Sequence, residues 1–296
     1  MARDVTGGIN KMIDFPIIDT HVHLWSPARI PCPWLDSFPS LKREFMPADY
    51  DAAIGDIQVE SIVFLECEVD HAYAAEEAEW VMSLAGRDKR IKAIIPWAPM
   101  EKGGRGREDV EELCRIPLVK GVRRLIQHEK NGFCLDPDFL AGIRLLKDYD
   151  LSFDICVSHD QLPDVIQMVR QCPDTVFILD HIAKPDIKGT LREPWKRHIR
   201  ELAGFENVSC KISGLVTEAD HQAWKKEDLK PYIEHVIGAF GFNRVMYGGD
   251  WPVVTLAASY REWFSALEWS LSGCSSDELR NLFKKNAEKI YRIPAT

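Results

Sequence analysis

Residues 17–23 read IIDTHVH, an apolar start that runs into two histidines two positions apart. On an extended strand such positions point to one face, so His21 and His23 share a face, and Asp19 has the same parity. The apolar run that opens here, 15–19 (FPIID), is too short for a helix and suits a strand buried on both sides. Seven further runs repeat the pattern: 61–66 (SIVFLE), 91–95 (IKAII), 118–123 (LVKGVR), 151–157 (LSFDICV), 176–180 (VFILD), 207–212 (NVSCKI) and 244–249 (RVMYGG).

Successive runs start roughly 25 to 46 residues apart, about the length of one strand–helix unit. Helical spacing of apolar residues fills the intervals, most clearly at 72–84, 137–147, 162–170, 232–240 and 276–291. Eight such units in 296 residues predict an α/β chain folded as a closed (β/α)8 TIM barrel. The competing fold is a doubly wound open sheet. Its phosphate-binding loop is missing, because GGRGRED at 103–109 lacks the GxGxxG spacing. The expected organisation is a loose polar tail over 1–13 and a single barrel domain over 14–296.

A loop rich in proline and tryptophan follows the first strand. Residues 25–47 hold Pro27, Pro31, Pro33, Pro39 and Pro47 with Trp25, Trp34 and Phe38. Prolines at that density exclude a long helix. A loop in this place lies on the catalytic face, as a lid or pocket wall or as a segment that packs down for stability.

Composition narrows the function. With 46% hydrophobic residues the chain can fill a core, which excludes a disordered protein. A net charge of -9 without a basic stripe argues against nucleic acid. No apolar stretch is long enough to cross a bilayer. The 8 cysteines form no CxxC pair, and with no signal peptide evident the expected setting is a reduced cytoplasm. Oligomeric state is not legible.

Chemistry-bearing residues gather at the ends of the runs. In a barrel of this type the C-terminal strand ends build the active site. His21 and His23 end the first strand and can bind a metal, an anion or a carbonyl oxygen. Glu66 ends the second, where a carboxylate must be paired or reach the mouth. Arg123 and Arg124 end the fourth, and strand parity lets only one face the interior. His159 follows the fifth as a pocket or helix-start residue, and Asp160 is expected to cap the next helix. Asp180 and His181 end the sixth. Lys211, within the seventh, is a pocket cation or a paired barrel residue. The eighth ends in GGDWP, whose glycines allow a sharp turn and deliver Asp250 to the mouth as a general base for water.

The ordered set DTHVHLW (19–25), GVR (121–123), DHIAKPD (180–186), KISGL (211–215) and GGDWPV (248–253) resembles the amidohydrolase superfamily, specifically its amidohydrolase 2 branch. Within that branch it is similar to the lactonase subgroup of sugar-acid lactonases and 2-pyrone-4,6-dicarboxylate lactonases. The resemblance implies hydrolysis of a lactone ring, a small-molecule substrate. By it Asp250 activates water, and His21, His23 and His181 polarise the carbonyl. Glu66, Arg123, Arg124, His159, Trp25 and Lys211 bind substrate. It implies no required cofactor; a single zinc or other divalent ion would be held by His21, His23, Asp250 and His181. The basic end of the fourth strand departs from dinuclear members, which carry a lysine or glutamate there. Few cations face the pocket by this reading, so an aldonolactone is favoured over a dicarboxylate. A zinc-dependent decarboxylase of the same branch is the remaining alternative.

Overall fold

The computed structural model describes residues 13–295. Eight parallel strands alternate with helices: β1 Ile17–Val22, β2 Val59–Leu65, β3 Ile91–Ile95, β4 Gly121–Arg123, β5 Ser152–Ile155, β6 Val176–Leu179, β7 Val208–Ile212 and β8 Val245–Tyr247. The helices that follow them are α1 Pro47–Ile54, α2 Ala74–Ala85, α3 Arg107–Cys114, α4 Pro137–Leu145, α5 Leu162–Gln171, α6 Trp195–Ala203, α7 Lys226–Phe240 and α8 Tyr260–Ser270. β1–β3 pair in sequence order, as do β4–β8. Parallel bridges Ile94–Val119 and Trp97–Arg123 join β3 to β4, and Val22–Trp251 joins β1 to the end of β8. Backbone bonds seal both seams: Arg123 N–H donates to Pro96 O at 2.9 Å, and His23 N–H to Trp251 O at 2.7 Å. The expected barrel is therefore closed.

Side chains fill the barrel. Ile18, Val63, Leu65, Ala93, Ile95, Ile178 and Met246 form an apolar layer that meets Ala287, Tyr291 and Ile293 of the C-terminal segment. That segment, expected as one helix, runs as Ser276–Arg280, a widened π turn Asn281–Lys285, and Asn286–Ile290. α7 begins one and a half turns before the expected residue 232 and takes Pro231 into its interior. α5 is not capped by Asp160, which is exposed. A 3-10 turn, His159–Gln161, leads into the helix, and the Gln161 side chain closes that turn by accepting from Ser158 N at 3.1 Å.

Residues 1–12 of the expected tail lie outside the described residues. Ile13, assigned to the tail, is buried, and its N–H donates to Glu268 of α8 at 3.1 Å. The eight cysteines are free thiols. Among the described residues no helix is long and apolar enough to cross a membrane.

One expectation fails inside β1. Asp19 does not share a face with the histidines. Asp19 pairs with Ile62 and Val22 with Phe64, so three steps on β1 oppose two on β2. This bulge resets the alternation. Asp19 points out toward the helices, accepting from Tyr50 of α1 and Tyr260 of α8, each at 2.8 Å. It also accepts from Gly249 N at 2.7 Å and His21 N at 3.0 Å, which ties β1 to the end of β8. Burial is the largest influence on it, and its carboxyl is pushed up to about 6 despite these four donors.

Candidate active site

Three histidines and one aspartate converge at the C-terminal mouth. Asp250 Oδ1 lies 3.7 Å from His21 Nε2, 3.7 Å from His23 Nε2 and 3.9 Å from His181 Nε2. All four side chains are buried. Burial alone would raise the Asp250 carboxyl; the facing His181 and His23 rings and Lys184 outweigh it and hold the group below its usual range. Asp250 is therefore a carboxylate at neutral pH. His21 and His181 are held well below the usual imidazole range, chiefly by burial, with Lys211 and neighbouring rings adding for His21.

The partners of the rings constrain their protons. His23 Nδ1 sits 2.9 Å from the carbonyl oxygen of Leu65, which can only accept, so Nδ1 carries a proton. In the neutral ring Nε2 then offers a lone pair. His21 has Asp180 Oδ1 at 3.4 Å and Lys211 Nζ at 3.5 Å from Nδ1, and Arg123 Nη1 at 3.3 Å from Nε2. Lys211 already serves Asp154 and Asp180, while the guanidinium can only donate, so Nε2 is the acceptor and the neutral ring carries its proton on Nδ1. His181 Nδ1 meets the Ser213 hydroxyl at 2.9 Å, a partner that serves either tautomer; when the hydroxyl donates, the ring proton sits on Nε2 and faces the cleft.

Below the imidazoles runs a chain of buried charges. Arg123 donates from Nε to Glu66 Oε1 at 2.6 Å and from Nη1 to Asp180 Oδ2 at 3.3 Å. Lys211 Nζ reaches Asp180 Oδ1 at 3.1 Å and Asp154 Oδ2 at 2.6 Å, and the Tyr291 hydroxyl donates to Asp154 Oδ2 at 3.0 Å. Burial raises Asp180, but Lys211 and Arg123 overcome it and keep the group ionised. Asp154 is raised to about 6, because its burial and the nearby Asp180 outweigh Lys211. The chain runs from the cleft to the C-terminal plug.

The backbone at the site is unusual. His181, Ile182, Ala183 and Lys184 all adopt positive φ, between 43° and 60°, and Asp250 does so at 55°. A left-handed residue with a Cβ costs about 1–2 kcal/mol. Neighbours hold the turn: Trp195 Nε1–H donates to Ile182 O at 2.8 Å, and His159 Nδ1 meets Lys184 O at 3.1 Å. Glycines clear the space. A Cβ on Gly214 would fall 2.5 Å from His181 Nδ1, and one on Gly249 would fall 2.4 Å from Asp19 Oδ2.

A cleft of about 550 Å³ opens above the cluster. Of the residues expected to bind substrate, Trp25, Glu66 and Arg123 line it together with His23, His181 and Asp250. Three do not. Arg124 turns outward to Glu101 and Glu129, at 3.2 and 2.6 Å, because alternation along β4 sends only Arg123 inward. Lys211 has no exposed surface and lies beneath His21, as a paired barrel residue. His159 is spent on the Lys184 carbonyl. Both Glu66 oxygens are also committed, to Arg123 and to Glu68 N.

The strand-end reading missed Gln127, Lys184 and Glu218, all of which line the cleft. Lys184 stands three residues past His181 in HIAKP, a visible signal; Glu218 stands in irregular text with none. The loop after β1 serves two purposes. Trp25, Leu35, Leu41 and Phe45 are buried, while Trp34 and Phe38 form a wall of the cleft.

His21 Nε2, His23 Nε2 and Asp250 Oδ1 also form a donor set able to hold one divalent ion. Donors at about 2.0–2.2 Å around zinc stand about 3.3–3.6 Å apart, close to the 3.7 Å separations from Asp250 Oδ1, and two of these donors are imidazole lone pairs.

Known proteins share this sequence and architecture. The chain is 32% identical over 290 residues to an L-fucono-1,5-lactonase of Burkholderia multivorans, covering 94% of this chain and 96% of that one. It is 30% identical to the L-fucono-1,5-lactonase of Burkholderia ambifaria, covering 93% and 95%. The crystal structure of an amidohydrolase from Burkholderia multivorans with bound zinc superposes with a TM-score of 0.86 at 30% identity, over 95% of this chain and all of that one. The amidohydrolase family profile matches residues 18–293, and the chain belongs to that family.

Proposed function

We propose that this protein is a lactonase that opens the ring of a sugar-acid lactone, with residues 14–296 acting as one catalytic barrel in the cytoplasm. The observation that carries the reading is the Asp250 carboxyl group, 3.7–3.9 Å from three imidazole nitrogens at the floor of the cleft. Relatives named as L-fucono-1,5-lactonases, matched over 95% and 96% of their own length, support the reading.

In this reading a water molecule on the cleft side of Asp250 and His23 bridges the two. It donates one hydrogen to the carboxylate and the other to the His23 Nε2 lone pair, which turns an oxygen lone pair toward the lactone carbonyl. Asp250 takes the proton as the C–O bond forms. The proton then passes to the ring oxygen as the ring C–O bond breaks, and the product is a hydroxy acid. His181 Nε2–H and the Arg123 guanidinium are the donors available to the developing oxyanion. His23 can polarise the carbonyl only as an imidazolium, because its Nδ1 proton belongs to Leu65. Glu66 holds Arg123 in place.

A divalent ion on His21, His23 and Asp250, with His181 adjacent, would supply Lewis acidity and a more acidic water. On this reading turnover does not require it, since Arg123, Lys184 and His181 already present positive charge and a donor to the cleft.

The test is a panel of aldonolactones followed by a pH indicator, with metal analysis and a chelator arm. At least one lactone opens, activity survives chelation, and Asp250→Asn lowers kcat by at least 10³ with the fold retained. Full activity in Asp250→Asn removes the base assignment. Loss with chelator and recovery with zinc makes the ion obligatory.

A further inference from the structure

Two charged groups in the cleft take no part in the bond making and breaking itself. Lys184 Nζ donates to Gln127 Oε1, which uses one of its three N–H bonds. Glu218 lines the same cleft, and its carboxylate accepts no hydrogen bond from the described residues. Its backbone, by contrast, is fixed: its N–H donates to Leu215 O at 3.2 Å, and its carbonyl accepts from Lys188 N at 3.0 Å. The two groups sense each other electrostatically but form no ion pair among the described residues. A half-buried carboxylate and ammonium left apart in this way carry unmet hydrogen-bonding capacity.

The opposite character comes from the loop after β1. Trp34 and Phe38 present aromatic surface to the cleft, and the Trp34 indole is held by Nε1–H donation to Cys67 O at 2.8 Å. A sugar ring matches such a cleft, with a C–H face for the aromatic wall and a hydroxyl edge for the polar one.

We propose that Lys184 and Glu218 form a diol clamp that sets substrate specificity. Lys184 donates to one hydroxyl oxygen of a vicinal diol, and Glu218 accepts from the neighbouring hydroxyl. This rests on the lactonase reading and names its substrate class as a polyhydroxylated lactone. Sites built to bond a hydroxyl reject analogues that lack it, because their own polar groups are then left unpaired.

The experiment compares kcat/KM for a six-membered aldonolactone and for δ-valerolactone, the same ring without hydroxyls. Wild type favours the aldonolactone by at least a hundredfold. In Glu218→Gln and in Lys184→Met that ratio falls at least tenfold. A ratio that stays within threefold of wild type in both variants, or equal losses on the two lactones, overturns the clamp. Should wild type open no lactone at all, the lactonase reading fails and the clamp is read by calorimetry with a six-carbon aldonate. Binding weakened at least tenfold in Glu218→Gln or Lys184→Met upholds it, and unchanged binding in both overturns it.

Discussion

Lys211 offers a measure of how much the buried charge chain contributes to the fold. It has no exposed surface and lies between Asp154 and Asp180, at 2.6 and 3.1 Å. Lys211→Met keeps the length of the side chain and removes the charge, leaving one carboxylate with Tyr291 and the other with Arg123. Removing one partner of a buried pair costs about 3–5 kcal/mol, which at this size lowers Tm by roughly 5–8 °C. The loss depends on pH with a definite sign. The Asp154 carboxyl stands at about 6 in the fold against 3.8 ordinarily, so ionising it inside the protein already costs about 3 kcal/mol above pH 6. A raised carboxyl destabilises the fold as pH climbs from its unfolded to its folded value, and the cost is fully present above the latter. Without Lys211 that folded value climbs further. Denaturant unfolding of wild type and variant at pH 5.5 and pH 8 therefore shows a loss at pH 8 that shrinks by at least half at pH 5.5, where Asp154 takes up a proton. Adding Asp154→Asn recovers part of the loss at pH 8. A variant within 1 kcal/mol of wild type at pH 8, or an equal loss at both pH values, refutes the reasoning.

Three other outcomes follow from the geometry. Arg123→Met lowers kcat/KM at least a hundredfold while Arg124→Met changes it less than threefold, because only the former reaches Asp180 and the His21 ring; steady-state assays of the two settle it. Gly249→Ala drives a Cβ to 2.3 Å from Tyr260 Cε2 and 2.4 Å from Asp19 Oδ2, so thermal unfolding shows a loss of about 1–3 kcal/mol and activity falls with it. Trp195→Phe removes the donor to Ile182 O, about 1–2 kcal/mol for a buried acceptor left unpaired, and hydrogen exchange increases in residues 181–184 before the rest of the barrel.

The eight strands were legible in the sequence, each within a few residues, because a strand covered on both faces must be continuously apolar. The polar strand ends were legible for the complementary reason: a histidine or aspartate closing such a run has only the mouth to occupy. His21, His23, His181 and Asp250 meet there.

Other assignments depended on contacts between distant parts of the chain. The bulge in β1 turns Asp19 away from His21, and alternation counted along a single strand cannot register an extra residue opposite its neighbour. Lys211 could equally have been a pocket cation, until Asp154 and Asp180 from two other strands claimed it. Four consecutive left-handed residues without a glycine run against local preference. They persist because Trp195 and His159, from α6 and the β5 loop, bond the carbonyls that the turn exposes. Local periodicity and strand-end chemistry thus determined the barrel and its candidate site. The inward or outward turn of Arg123, Asp19 and Lys211, the proton on His23 Nδ1, and the meeting of Lys184 and Glu218 in one cleft were decided by neighbours from other strands and loops, since burial and charge are properties of the surroundings that the closed barrel creates.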